Sequence, residues 1–140
     1  MKASPKPVEV ERNDHSVFNL NYHVVLVTKY RNRVLEGKIE EYVKTKVSEI
    51  CQQYDWGLLA LEAMPDHIHV FVSAPPKIAP LMIGRTFKGM LTLGVFREFP
   101  NLKSQRFWGS GLFSRGTYYG SAGTVSAETI KKYIEEQKNV

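Results

Sequence analysis

Residues Val17 to Tyr30 are rich in β-branched and aromatic side chains, which fit a pleated strand. A basic connector follows, Lys29-Tyr30-Arg31-Asn32-Arg33. From Leu35 to Tyr54 the apolar positions Leu35, Ile39, Tyr42, Val43, Val47 and Ile50 recur at helical spacing with charges between them. Trp56-Gly57 interrupts that helix. Leu58 to Ala63 reads as a short strand, Met64-Pro65-Asp66 as a turn, and His67 to Ala74 as a strand antiparallel to it. Pro75, Pro76 and Pro80 punctuate the exit. A second helix is expected from Leu81 to Phe96, although Gly84, Gly89 and Gly94 each cost a helix interior about 1 kcal/mol relative to alanine. Residues 99–116 read as loop anchored by Phe107, Trp108 and Phe113, and Thr117 to Ser121 as a further strand. Ser126 suits an N-cap and Glu128 the first turn of a last helix running to the chain end. The order predicts an α+β fold: a ferredoxin-like or RRM-like antiparallel sheet with helices on one face, plus a short C-terminal helix.

Composition narrows this picture only a little. The 140 residues suit one domain, expected over 17–140, behind a loose arm at 1–16 that carries two prolines and mixed charges. Hydrophobic residues at 43% and charged residues at 24% exclude a wholly disordered chain. No apolar run approaches the roughly 18 residues of a membrane span, and residues 1–16 lack the apolar block of a secretory signal. Cys51 is the single cysteine, so an internal disulfide and a multi-cysteine zinc site are both excluded. A cytoplasmic protein with no membrane partner is expected. The net charge of +5 is compatible with nucleic acid without requiring it.

Chemistry concentrates in Pro65-Asp66-His67-Ile68-His69-Val70-Phe71-Val72. On a strand, Ile68, Val70 and Val72 form one apolar face, while His67 and His69 project from the other with Cα atoms roughly 6.6 Å apart. Two neutral imidazoles at that separation can share one divalent ion. An ordinary solvent-facing strand can also carry such a pair, and a three-histidine zinc site would need His23 as its third ligand. At the far end, Tyr133 and Gln137 lie four apart and share a helix face, beside an apolar stripe of Ala127, Ile130 and Ile134. One helix would then bring together a phenol nucleophile and an amide oxygen ligand. The plainer reading makes Tyr133 an amphipathic edge residue and Gln137 a solvated terminal one.

Taken together, HVVLVTKYRNRVL, MPDHIHVFVSAPP and SAETIKKYIEEQ resemble the IS200/IS605-family transposases, single-tyrosine members of the nucleases with a His-hydrophobic-His motif. The similarity spans Phe18 to Lys138, with every segment in family order. The resemblance implies a homodimer that excises and inserts insertion-sequence DNA as single strands, recognising imperfect hairpins near the element's ends. It implies Tyr133 as the nucleophile forming a 5′-phosphotyrosine link, and His67, His69 and Gln137 as ligands of Mg²⁺ or Mn²⁺. A nitrogen-rich ligand set favours Mn²⁺. The tyrosine helix could serve its own subunit or the partner's, and the small-residue run Gly120-Ser121-Ala122-Gly123 would let it swing.

A single-stranded substrate calls for a basic groove with aromatic faces. Lys29, Arg31, Arg33, Arg85 and Lys88 are the leading candidates for DNA contact, with Lys103, Arg106 and Arg115 behind them; Tyr30, Trp108 and Tyr119 offer rings. GRTFKGML lacks the Lys-Ser/Thr ending of a phosphate-binding loop. Two other readings stand beside the transposase: a domesticated relative processing repeated palindromes, and a non-catalytic module that binds single-stranded nucleic acid.

Overall fold

The computed structural model describes residues 11–12, 17–107 and 109–121. Two-residue strands β1 (Glu11–Arg12) and β2 (Val17–Phe18) pair antiparallel. Part of the expected loose arm thus folds back on the start of the domain. The main sheet comprises β3 (Asn21–Thr28), β4 (Gly57–Met64), β5 (His67–Ser73) and β6 (Phe113–Ser121), ordered β4-β5-β3-β6 with every neighbouring pair antiparallel. Helix α1 (Gly37–Tyr54) links β3 to β4, while α2 (Pro80–Glu98) and α3 (Pro100–Phe107) link β5 to β6. Each connection therefore skips one strand, which is the ferredoxin-like β-α-β-β-α-β arrangement expected from the order of elements.

Alternation along the strands sets the layers. Val24 and Leu26 of β3 and Ile68, Val70 and Val72 of β5 are fully buried against the helices. Helix α1 contributes Val43, Val47, Ile50 and Cys51 to that core. It ends at Asp55, whose left-handed backbone (φ 57°) turns its N–H back onto the carbonyls of Cys51 and Gln52. Helix α2 starts with Pro80, whose missing N–H costs nothing in a first turn, and buries Ile83, Phe87, Leu91 and Val95 at intervals of four.

The glycines of α2, which weaken it by propensity, serve its packing. A Cβ on Gly84 would collide with the ring of Tyr119, and one on Gly94 with the ring of Tyr42. Each glycine is a socket for a tyrosine from β6 or α1. Gly89 has open space instead.

Two departures from the sequence expectation lie in 99–116. Residues Pro100–Phe107 are helical, and β6 begins at Phe113 rather than Thr117. The polar run NLKSQR looks like loop, but Phe107 is fully buried with its ring 5.8 Å from Phe96, and that anchor supports a helical turn. The early part of β6 is held where Phe113 pairs with Thr28, past an irregularity in the ladder. Trp108 lies outside the described residues, as does the expected last helix with Tyr133 and Gln137.

The sockets separate propensity from packing. Gly89→Ala is expected to raise the unfolding free energy by about 0.5–1 kcal/mol. Gly84→Ala is expected to lower it by about 1 kcal/mol or more, because displacing Tyr119 outweighs the helical gain. Urea denaturation of the two variants beside the parent chain measures both.

Candidate metal centre and nucleic-acid cleft

The face of the sheet away from the helices carries the polar residues of β5. The register sets Val27 opposite His67, Val25 opposite His69 and His23 opposite Phe71 on β3, with Tyr118 of β6 opposite Val25. His23, Val25, Val27, Arg31, His67, His69 and Tyr118 together line an open cleft of about 530 Å³. His67 and His69, paired on one strand face by their spacing, do share it, their ring centroids 5.0 Å apart and their planes at 74°.

Each imidazole is held by a different device. His67 Nδ1 lies 2.7 Å from Asp66 Oδ1. Burial alone would raise the Asp66 carboxyl, but hydrogen bonds from His67 and Arg31, with their charges, outweigh it and hold the group below the usual carboxylate range. A charged carboxylate only accepts, so Nδ1 of His67 carries the hydrogen, and in the neutral ring that leaves the lone pair on Nε2. His69 Nδ1 faces His23 Nε2 at 2.9 Å. Both rings are deeply sunk, His23 at 6% and His69 at 4% exposure. Burial pushes the His23 imidazole down to about 4. Burial, with the neighbouring His23 and His67 against a smaller opposing effect of Glu62, pushes His69 to about 4 as well. At neutral pH both rings are uncharged, the form in which imidazole binds metals.

His69 Nε2 is buried without a hydrogen-bond partner. A buried polar atom left without a partner is costly, and it marks a position that a ligand would complete. With a second imidazole beside it, the donor set fits a divalent cation of borderline softness. Among the described residues no trio of His, Cys, Asp or Glu is placed to hold a metal, so a further ligand would have to come from elsewhere. His23, considered as that ligand, directs Nε2 to His69 instead.

The basic connector forms one wall. Lys29–Arg31 make a single 3-10 turn in which Tyr30 (φ 60°) and Arg31 (φ 51°) are both left-handed, a conformation that costs non-glycine residues of order 1–3 kcal/mol each. Surrounding bonds enforce it. The Thr28 N–H and hydroxyl donate to the Asp66 carbonyl at 2.9 and 3.1 Å, the Lys29 N–H donates to the Leu112 carbonyl at 2.8 Å, and the Leu35 N–H to the Pro65 carbonyl at 2.9 Å. The turn carries the Arg31 guanidinium across to Asp66 at 3.1 Å while leaving its side chain 76% exposed.

The other candidates for DNA contact separate. Lys29 lies 5.8 Å over the Tyr30 ring, and Arg33 is exposed. Arg85 and Lys88 fall on the opposite side of β6, in a second cleft of about 400 Å³ shared with Leu81, Arg115, Thr117 and Tyr119. There the Lys88 ammonium donates to the carbonyls of Ser114 (2.8 Å), Arg115 (3.0 Å) and Gly116 (3.4 Å), bracing the start of β6. Tyr119, expected as a stacking face, packs towards the helices with its hydroxyl on the Leu81 carbonyl at 3.4 Å. Tyr118, which the sequence did not single out, takes the cleft side at 58% exposure. Asp66 and the pairing of His23 with His69 were also not legible beforehand. The adjacency of Asp66 to His67 was the only local signal.

The neutral histidine pair makes stability depend on acidity. Between about pH 6.5 and 4 the unfolded chain takes up protons that the folded pair refuses, so the pair's contribution is complete above 6.5 and lost as pH falls towards 4. At full effect this is about 1.4 kcal/mol per pH unit for each ring. Urea midpoints measured from pH 7 to 4.5 are expected to fall steeply in the parent chain and less steeply in His69→Gln.

Residues 16–137 match the family model for IS200-like transposases. The ISDra2 transposase TnpA of Deinococcus radiodurans is 30% identical over 131 residues, covering 94% of this chain and 93% of that protein. The transposase for insertion sequence element IS200 of Salmonella typhimurium is 29% identical over 127 residues, 88% of this chain and 80% of that one. A crystal structure at 1.90 Å of a Deinococcus radiodurans R1 protein assigned as a transposase superposes with a TM-score of 0.74 at 31% identity, covering 91% of this chain and 97% of that one. The match extends over the sheet, both histidines and the connector alike, and the chain belongs to the IS200-like transposase family.

Proposed function

We propose that this chain cleaves and rejoins single-stranded insertion-sequence ends through a 5′-phosphotyrosine intermediate, acting as a homodimer on DNA that carries subterminal hairpins. The observation that carries the reading is the unpartnered, buried Nε2 of His69, a residue that lines one cleft with His67 and Arg31. Family membership supports DNA as the substrate.

In this reading His67, His69 and Gln137 hold Mg²⁺ or Mn²⁺, the nitrogen-rich set favouring Mn²⁺. When bound, the cation supplies Lewis-acid polarisation of the scissile phosphodiester. The Tyr133 phenol oxygen attacks phosphorus in line and releases its proton to solvent water. The P–O3′ bond breaks, and the departing 3′ oxygen takes up a proton to become a free hydroxyl. Because the tyrosyl ester preserves the phosphodiester energy, the 3′ hydroxyl of another strand can reverse the attack without ATP. Asp66 holds His67 through this cycle, and Arg31, tied to Asp66, brings positive charge to the phosphate. Lys29 and Arg33 extend that charge at the cleft's edge, and Tyr118 offers a face to a base. Arg85 and Arg115, in the second cleft, would meet the backbone of the same DNA beyond β6.

Denaturing gels of the chain incubated with a single-stranded end fragment and Mn²⁺ are expected to show a covalent adduct. Tyr133→Phe should abolish it while leaving hairpin binding unchanged, and His67→Ala should remove cleavage and the response to Mn²⁺ together. An adduct persisting in Tyr133→Phe would refute the assignment of the nucleophile. Absence of any adduct with intact binding would favour the non-catalytic module. Asp66→Asn, which exchanges a charged acceptor for a neutral amide, should raise the Mn²⁺ concentration needed for half-maximal cleavage by roughly 10- to 100-fold.

A further inference from the structure

We infer that His23 is a positioning residue that fixes the tautomer of His69, so that the hydrogen sits on Nδ1 and the lone pair of Nε2 is left for a ligand. The inference deepens the reading above and rests on it only for the identity of that ligand as a divalent cation.

The geometry admits two arrangements. His23 Nε2 and His69 Nδ1 are 2.9 Å apart, and between two neutral rings a single hydrogen occupies that line. If His23 donated it, Nε2 of His69 would have to carry the other hydrogen. That N–H would be buried with no acceptor and closed to any metal. If His69 donates, its Nε2 is a bare lone pair on a residue that lines the cleft. The second arrangement also makes the two strand imidazoles equivalent. Asp66 already places the hydrogen of His67 on Nδ1, and His23 then does the same for His69. The same nitrogen of each ring is thereby presented from alternate positions of one strand.

His23 is built to hold its direction. Its ring stacks on Phe71 at 4.1 Å and 10°, lies against His69 at 5.2 Å and 22°, and meets the edge of Tyr118 at 5.4 Å. Tyr118 in turn lies over Gly120, the residue directly opposite His23, where a Cβ would come within 2.6 Å of the phenol oxygen. A side chain fenced in this way presents a fixed acceptor. It is one of the outer partners that commonly orient metal-binding histidines, with an imidazole standing where a carboxylate or carbonyl is more usual.

Imidazole ¹⁵N NMR of the metal-free chain at pH 7.5 tests this directly. The expected result is His69 protonated at Nδ1 and bare at Nε2. His23→Gln retains an acceptor oxygen and should keep that tautomer. His23→Phe retains the stack on Phe71 without an acceptor, and should release His69 to a mixture of tautomers. Calorimetric titration with Mn²⁺ should then show affinity falling roughly 10-fold in His23→Phe and restored in His23→Gln. A wild-type His69 carrying its hydrogen on Nε2 would overturn the inference, and this holds even if His23→Phe fails to fold. So would a folded His23→Phe with tautomer and Mn²⁺ affinity unchanged. Absence of Mn²⁺ binding by the parent chain would instead sink the reading of the site as a cation centre, while the tautomer of His69 still decides the part played by His23.

Discussion

The antiparallel pairing of β3 with β5 is the constraint on which the remaining features depend. It sets Val25 opposite His69 and Val27 opposite His67. Since side chains alternate strictly along a strand, slipping β5 by one residue in that ladder would turn both histidines towards the helices and expose Ile68, Val70 and Val72. The register is defended by burial: Ile68, Val70 and Val72 are inaccessible to water, and each contributes roughly 1.5–3 kcal/mol by leaving it. The chemistry of the open face is thus held in place by the apolar face behind it.

The two imidazoles share a surface but have unlike surroundings. His67 has a charged acceptor, itself tied to an exposed guanidinium. His69 has a neutral acceptor in a deeply buried stack. The left-handed Tyr30 and Arg31 bring the guanidinium into place, and the bonds of Thr28, Lys29 and Leu35 anchor the connector and the Pro65-Asp66 turn together. Local strain and rigid support therefore coincide at the cleft, as expected where side-chain direction matters more than local stability.

Support from the other side of the sheet follows the same economy. Tyr42 and Tyr119 lock α1 and β6 onto α2 through glycines that would weaken an isolated helix. Neighbouring residues of β6 divide the labour, with Tyr119 clamping the helix layer and Tyr118 lining the cleft. The braced carbonyls of residues 114–116, gathered by Lys88, stiffen the edge strand on which both tyrosines sit.

Much of this was legible in the residues themselves. Periodicity located α1, β4, β5 and α2, since burial on one face leaves a repeat of 3.6 or 2 in the sequence, and the same alternation put His67 and His69 on a common face. Motif order was enough to indicate the family. The helix at Pro100–Phe107 was obscured because its composition is polar and a single buried Phe107 holds it. The partner of His69 could not be read at all: His23 lies 46 residues away, and only the inserted order β4-β5-β3-β6 makes them neighbours. Sequence by itself determined which residues could share a strand face or a helix face, because that depends on backbone geometry over a few residues. Tertiary structure alone decided which faces meet, which ring nitrogen finds a partner and which cation is spent on carbonyls, because those depend on strand pairing and burial between segments far apart in the chain.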